Sequence, residues 1–307
     1  MKRTALFLLV LTFLVAALGA CAPAPEPTAQ PIHLTDDLGR AVSLPAAALR
    51  IVSMAPSNTE ILYAVGAGAQ VIGRDEFSNY PPEVLDLPSV GGSMGSYNIE
   101  QIISLQPDLV LAAEINTPEQ VKALEDAGIT VYYLGNPTDL AGVYANLSTA
   151  GALTGHAEDA AALVDDLQAR VAAVEAKLAE VSERPTVFYE LDGSDALKPW
   201  TAGPGTFIDL LIGIAGGQNA AADLGGAWGQ LSLEALLVAD PDFILLGDAA
   251  YGVTAEQVAA RAGWESLSAV QNGRVLPFND DWVSRPGPRL VDALEALAQV
   301  LHPEVFD

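Results

Sequence analysis

The segment Asn98 to Ala112, NIEQIISLQPDLVLA, returns in altered form as Ser232 to Leu246, SLEALLVADPDFILL. At a constant spacing of 134 residues, Glu100 falls on Glu234, Pro107 on Pro241 and Asp108 on Asp242, with the apolar positions in step. Each copy reads as a short amphipathic helix, a Pro-Asp break and a buried strand. The likeness extends more loosely to Thr59–Gly66 and Thr206–Gly213, and to the late strands Ile129–Leu134 and Arg274–Phe278. A single repeat of this length is too long for a solenoid unit and predicts two related α/β lobes. Within the first copy, Arg50 to Ala55 reads as a buried strand. Ser57-Asn58-Thr59-Glu60 has the form of a capping box opening the next helix.

Between the copies lies Glu158 to Val181, where Val164, Leu167, Val171, Val174, Leu178 and Val181 step by three and four. That spacing predicts one long helix with a single apolar stripe. The expected organisation is therefore an N-terminal lobe over 35–155, a connecting helix over 156–183 and a C-terminal lobe over 184–307. A helical connector predicts small lobe motions.

The chain starts with a basic pair, Lys2 and Arg3, and an apolar run from Ala5 to Leu18 that is short for a membrane span. This is the pattern of a signal peptide over 1–20. Leu18-Gly19-Ala20 places small residues before Cys21, the chain's only cysteine, which is expected to be lipidated. With one cysteine there is no internal disulfide. Prolines 23, 25, 27 and 31 predict an extended tether over 21–34. The formal charge of −25 becomes −27 without Lys2 and Arg3, which disfavours nucleic acid as a partner.

Catalytic and metal chemistry leave little trace. The three histidines, at 33, 156 and 302, have no ligand companion at short spacing, and neither a Walker loop nor a dinucleotide fingerprint occurs. Gly91-Gly92-Ser93-Met94-Gly95 matches a serine-hydrolase elbow with His302 as its late histidine, but no buried strand precedes Ser93. The expectation is a binding protein without catalytic residues or cofactor, with the Ser93 hydrolase as the alternative of another class. Tyr80, Tyr97, Trp200, Trp228 and Trp282 all fall between the predicted elements, where flat side chains suit a large, partly apolar ligand.

Taken together, DDLGRAVSLPAAALRIVSMAPSNTE from Asp36, FSNYPP, NIEQIISLQPDLVLA and DDWVSRPGPR resemble the solute-binding proteins of ABC importers that have a helical backbone. Members take up cobalamin, haem and iron-siderophores, and the likeness is strongest to the cobalamin branch. The resemblance implies two Rossmann-like α/β lobes joined by one long α-helix, the class III periplasmic binding protein fold. It implies a monomer held outside the cytoplasm by its lipid, delivering ligand to a permease homodimer with ATPase subunits. Carried over position by position, it makes Glu100 and Glu234 the transporter-docking residues. Tyr80, Met94, Trp200, Trp228, Asp281, Trp282 and Arg285 become the ligand-binding residues, with Met94 standing where the cobalamin branch has tryptophan. The implied ligand is a corrinoid, with iron-siderophore or haem as the alternative. Only Arg74, Arg285 and Arg289 are candidates to meet an anionic ligand.

Overall fold

A computed structural model describes residues 30–306. The expected signal peptide, Cys21 and most of the tether lie outside the described residues. The tether ends earlier than expected: Ile32–Thr35 (β1) pairs antiparallel with Ala41–Leu44 (β2), because Ile32 and Leu34 alternate inward.

The N-terminal sheet is wholly parallel, in the order β4-β3-β5-β6, built from Ile51–Ser53 (β3), Val71–Arg74 (β4), Leu109–Ala113 (β5) and Val131–Leu134 (β6). β5 and β6 are continuously buried, as strands covered by helices on both faces must be. Pro56–Ala64 (α1) follows β3. The expected Ser57–Glu60 capping box does not form. Ala55 is the N-cap and makes no side-chain bond, Pro56 starts the helix, and Glu60 turns toward the other lobe.

The C-terminal sheet repeats this order. Its parallel part comprises Thr186–Asp192 (β7), Gln218–Asn219 (β9), Phe243–Leu246 (β11) and Val275–Pro277 (β12). Beyond them Trp200–Ala202 (β8) and Trp228–Gln230 (β10) add an antiparallel pair along the carboxyl half of β7. The repeated Pro-Asp motif explains itself in both copies. Ile99–Ser104 (α2) and Leu233–Ala239 (α7) each stop at a left-handed residue before proline, Gln106 at φ 51° and Asp240 at φ 40°. Asp108 then accepts the Leu49 and Arg50 amides at 2.9 and 3.0 Å, and Asp242 the Thr186 amide at 2.8 Å. Each aspartate pins the start of the neighbouring strand.

The lobes are joined by Ala157–Leu178 (α5), 22 residues and about 33 Å long. Val181, expected on its stripe, lies past its end. α5 packs on Leu140–Thr154 (α4) of the N-lobe and on Arg289–Leu301 (α11) of the C-lobe. The α4 contact is close: a β-carbon on Gly151 would lie 2.5 Å from that of Ala160. Each lobe has its own smaller apolar cluster, around Val110 and Ile102 in one and Phe188 and Trp264 in the other. The largest cluster, however, runs without a break from Leu62 and Leu147 through Leu167 and Val174 to Leu211 and Leu294. The halves are two sheets sharing one apolar seam.

Candidate functional site

In parallel sheets, loops at the carboxyl ends of the strands gather into a crevice. Here the ends of β3, β4, β5 and β6 bring Ala55, Pro56, Phe77, Ala113, Ile115 and Asn136 to one rim, joined by Gly92 and Tyr97. Ser284, Arg285 and Pro286, beyond β12, form the opposite rim. The groove between them has a volume of about 440 Å³. A cavity of about 520 Å³ at the amino ends of the C-lobe strands is lined by Arg184, Asp242, Arg274 and His302. It lies at the opposite end of the sheet from the groove, among the connections that enter β7, β11 and β12.

The N-lobe rim is braced from below. Tyr97 donates its hydroxyl to the Met54 carbonyl at 2.9 Å, and Asn116 donates to the same oxygen at 3.2 Å. Burial pushes the Tyr97 phenol up to about 12, so it remains a donor at neutral pH. A buried chain of hydroxyls joins Ser53, Thr59 and Ser78, and Ser78 donates to Asp75. Burial holds the Asp75 carboxyl above its ordinary range, and Asp75 also accepts the Phe77 amide at 2.9 Å. The Phe77 backbone is thereby fixed, and its ring stands 54% exposed.

Two C-lobe arginines cross to the N-lobe. Arg285 Nη1 donates to Glu60 Oε1 at 3.0 Å and Asn79 Oδ1 at 2.7 Å, while its Nη2 meets Asp281 at 2.8 Å. Arg289 grips Glu60 through Nε at 2.7 Å and Nη2 at 2.5 Å. Glu60 and Arg289 are buried, at 2% and 8% exposure. Glu60 was hidden from sequence reasoning because its partners lie more than 200 residues away.

The residues expected at the ligand do not all meet in the groove. Arg285 lines it. Tyr80 does not: it packs face-on against the Arg289 guanidinium, 4.2 Å from its ring centre, in a separate recess bounded by Leu163 and Arg170. The groove's aromatics are instead Phe77 and Tyr97, with Ile115 beside them. The Phe77 signal, an aromatic in the same Pro-containing loop three residues before Tyr80, was present in the sequence. Met94 belongs by its backbone to the turn Ser93–Gly95 at the N-lobe rim; its side chain lies outside the description.

Trp200 and Trp228 stand on strands rather than in loops. The β8–β10 register, Trp228 opposite Ala202 and Gln230 opposite Trp200, puts both rings on one face, and both are exposed. Both lie outside the groove lining; Trp200 stands at the carboxyl end of β7, where it pairs with Asp192, and Trp228 is on the strand beyond. Asp281 and Trp282 sit on a one-turn helix, Asp280–Ser284 (α10), rather than in a loop. Asp281 is half-buried against Arg285, and Trp282 is half-buried edge-on to Phe278, 6.4 Å between ring centres. The deeper acid is Asp280, which accepts from Tyr189 and Ser284 and is held above its usual range by burial.

Glu100 and Glu234 occupy matching places, the second residues of α2 and α7, behind the N-caps Asn98 and Ser232. Both are exposed, and among the described residues neither forms an ion pair. Ser93 opens a 3-10 turn instead of a strand-to-helix elbow. The ring nitrogens of His302 face the Gly216 carbonyl and Glu304.

Residues 51–280 match the family described as periplasmic binding protein. The uncharacterized ABC transporter substrate-binding lipoprotein YvrC of Bacillus subtilis (strain 168) is 35% identical over 281 residues, 90% of this chain and 87% of that protein. A cobalamin-binding protein of Halobacterium salinarum is 33% identical over 301 residues, 92% of this chain and 80% of that one. Among solved structures, the periplasmic heme-binding protein RhuT from Roseiflexus sp. RS-1 superimposes with a TM-score of 0.74 at 29% identity, covering 83% of this chain and 98% of that one.

Proposed function

The chain belongs to the periplasmic binding protein family, and on that premise we propose that it binds cobalamin or a related corrinoid between its lobes and delivers it to an ABC permease. The carrying observation is that every arginine available to an anionic ligand is already committed. Arg74 donates to the carbonyls of Val84, Asp75 and Glu76, and Arg285 and Arg289 converge on Glu60. A rim of Phe77, Tyr97 and Ile115 with Ser57, Asn136 and Ser284 suits an apolar macrocycle edged by neutral amides. Likeness to a haem-binding protein keeps iron porphyrin as the competing ligand. Its carboxylates would need a cation that this groove does not leave free.

The full chain should bind cyanocobalamin or its base-lacking precursor cobinamide saturably, with tryptophan emission as the readout. No binding of either at on the order of tens of micromolar overturns the corrinoid reading.

Delivery is assigned to Glu100 and Glu234, two exposed anions related by the internal repeat and therefore matched to a two-fold permease dimer. Acylation of Cys21 would keep the receptor at the membrane surface. Reversing both glutamates to lysine should leave ligand affinity within about twofold and reduce uptake to background, since exposed charges act on docking rather than on the fold. Normal transport by the double variant removes the assignment.

A further inference from the structure

Arg285 is the only cationic side chain among the residues lining the groove, and its charge is cancelled from behind. Three acceptors take up its guanidinium: Glu60 at 3.0 Å, Asn79 at 2.7 Å and Asp281 at 2.8 Å. Arg289, beside it, pairs with both oxygens of Glu60 and lies against the Tyr80 ring. The set of Glu60, Asp281, Arg285 and Arg289 holds two negative and two positive charges. Glu60 is the shared member, bonded to both arginines and nearly inaccessible to water. Were it neutral, the one carboxylate still paired with either arginine would be Asp281, which is partly open to solvent; Asp75 and Asp280 also face Arg285, but burial holds both carboxyls above their ordinary range. The surplus positive charge would lie at the groove wall, where Arg285 already stands.

We propose that Glu60 is a specificity-determining residue: it sits outside the groove, neutralises Arg285 from the opposite lobe, and so makes the site reject polyanionic ligands. The inference rests on the neutral-ligand reading above and deepens it. It gives an ion pair within the fold a role in ligand choice: the same carboxylate that fastens the lobes sets the electrostatic sign of the space between them. The groove's residues could otherwise accommodate an anion, since Ser57, Asn136 and Ser284 offer donors beside Arg285.

The test is Glu60→Gln in the full chain, with two probes of known charge: dicyanocobinamide and a trianionic ferric tris-catecholate complex. The variant keeps the shape of Glu60 and one acceptor oxygen. Its affinity for the trianion should rise at least about tenfold over wild type, with a salt dependence that wild type lacks, while any affinity for cobinamide stays within about twofold. Adding Arg285→Met should erase that gain, which a role in folding alone would not predict. A folded Glu60→Gln protein without the gain, or a gain that survives Arg285→Met, overturns the proposal. Should Glu60→Gln not fold, Asp281→Asn releases Arg285 from its exposed side, and a gain of about threefold is expected; none overturns the proposal equally. The trianion arm does not depend on corrinoid binding. Wild type that ignores cobinamide would refute the ligand assignment while leaving the effect of Glu60 measurable.

Discussion

The two lobes share a strand order and a Pro-Asp motif, yet they finish their central strand differently. Ile51 of β3 and Val187 of β7 pair with the repeat-related Leu109 and Phe243, so Met54 and Glu190 occupy the same place at the strand's carboxyl end. Met54 is fully buried and apolar, and its carbonyl serves as a fixed acceptor for Tyr97 and Asn116. Glu190 is equally buried but charged. It is held by Arg261 at 2.5 and 2.9 Å, and Arg261 lies over the Trp264 ring, whose Nε1 reaches the Ala196 carbonyl at 2.9 Å. Asp248 holds the Gly193 amide at 3.0 Å from the other side. The N-lobe ends its strand with a plain apolar plug. The C-lobe uses an ion pair to hold the loop 193–199, and with it the strand that carries Trp200. The extra antiparallel pair is an elaboration of one copy, and the buried charge anchors the loop that leads into it.

The strongest way to break this comparison is Arg261→Met. With its partner removed, Glu190 is a fully buried lone charge, and the C-lobe should lose about 3–5 kcal/mol at neutral pH. The deficit should be pH-dependent. Burial, aided by Asp248, already raises the Glu190 carboxyl while Arg261 opposes the rise, so the variant moves it higher still. An acid raised in the folded state favours that state at low pH and penalises it as pH climbs through the folded value. Chemical denaturation should therefore show the deficit shrinking between neutrality and about pH 5. A deficit that does not vary with pH would mean that Glu190 is not its source.

A smaller effect contrasts how each lobe grips α5. The N-lobe does so by close approach at Gly151, so Gly151→Val should cost about 1–3 kcal/mol in the same assay through overpacking against Ala160. The C-lobe adds charge pairs there, Arg170 with Asp292 and Glu295, each at 2.6 Å but partly exposed. Arg170→Ala should cost about 1 kcal/mol or less, and less again in high salt. Equal costs for the two variants would erase the distinction between a packed and an electrostatic attachment.

Much of this was legible in the chain. The Pro107–Asp108 and Pro241–Asp242 pairs announce a duplicated lobe because helix end, turn and strand start are all local decisions. The stripe around Leu167 and Val174 announces the connector for the same reason. Glu60 was misread because Ser-x-x-Glu is a local pattern, whereas its real partners, Arg285 and Arg289, are 225 and 229 residues distant. Trp200 and Trp228 read as loop residues because strands of three residues are too short to show alternation. Tyr80 was preferred to Phe77 because a sequence cannot say which of two aromatics in one loop turns toward an arginine and which toward open space.

The apolar seam along α5, reinforced by the grip on Glu60, has a consequence for traffic through a transporter. A receptor that snaps shut reports its cargo by changing shape, so that empty copies are a poor fit to the permease. Here the two rims are fastened directly to each other, Glu60 of one to Arg285 and Arg289 of the other, and the docking proposed for Glu100 and Glu234 would meet rims already joined. On that proposal, a preference for laden copies would come from the cargo's own uncovered surface, since occupancy can bias only states that differ in their contacts with it.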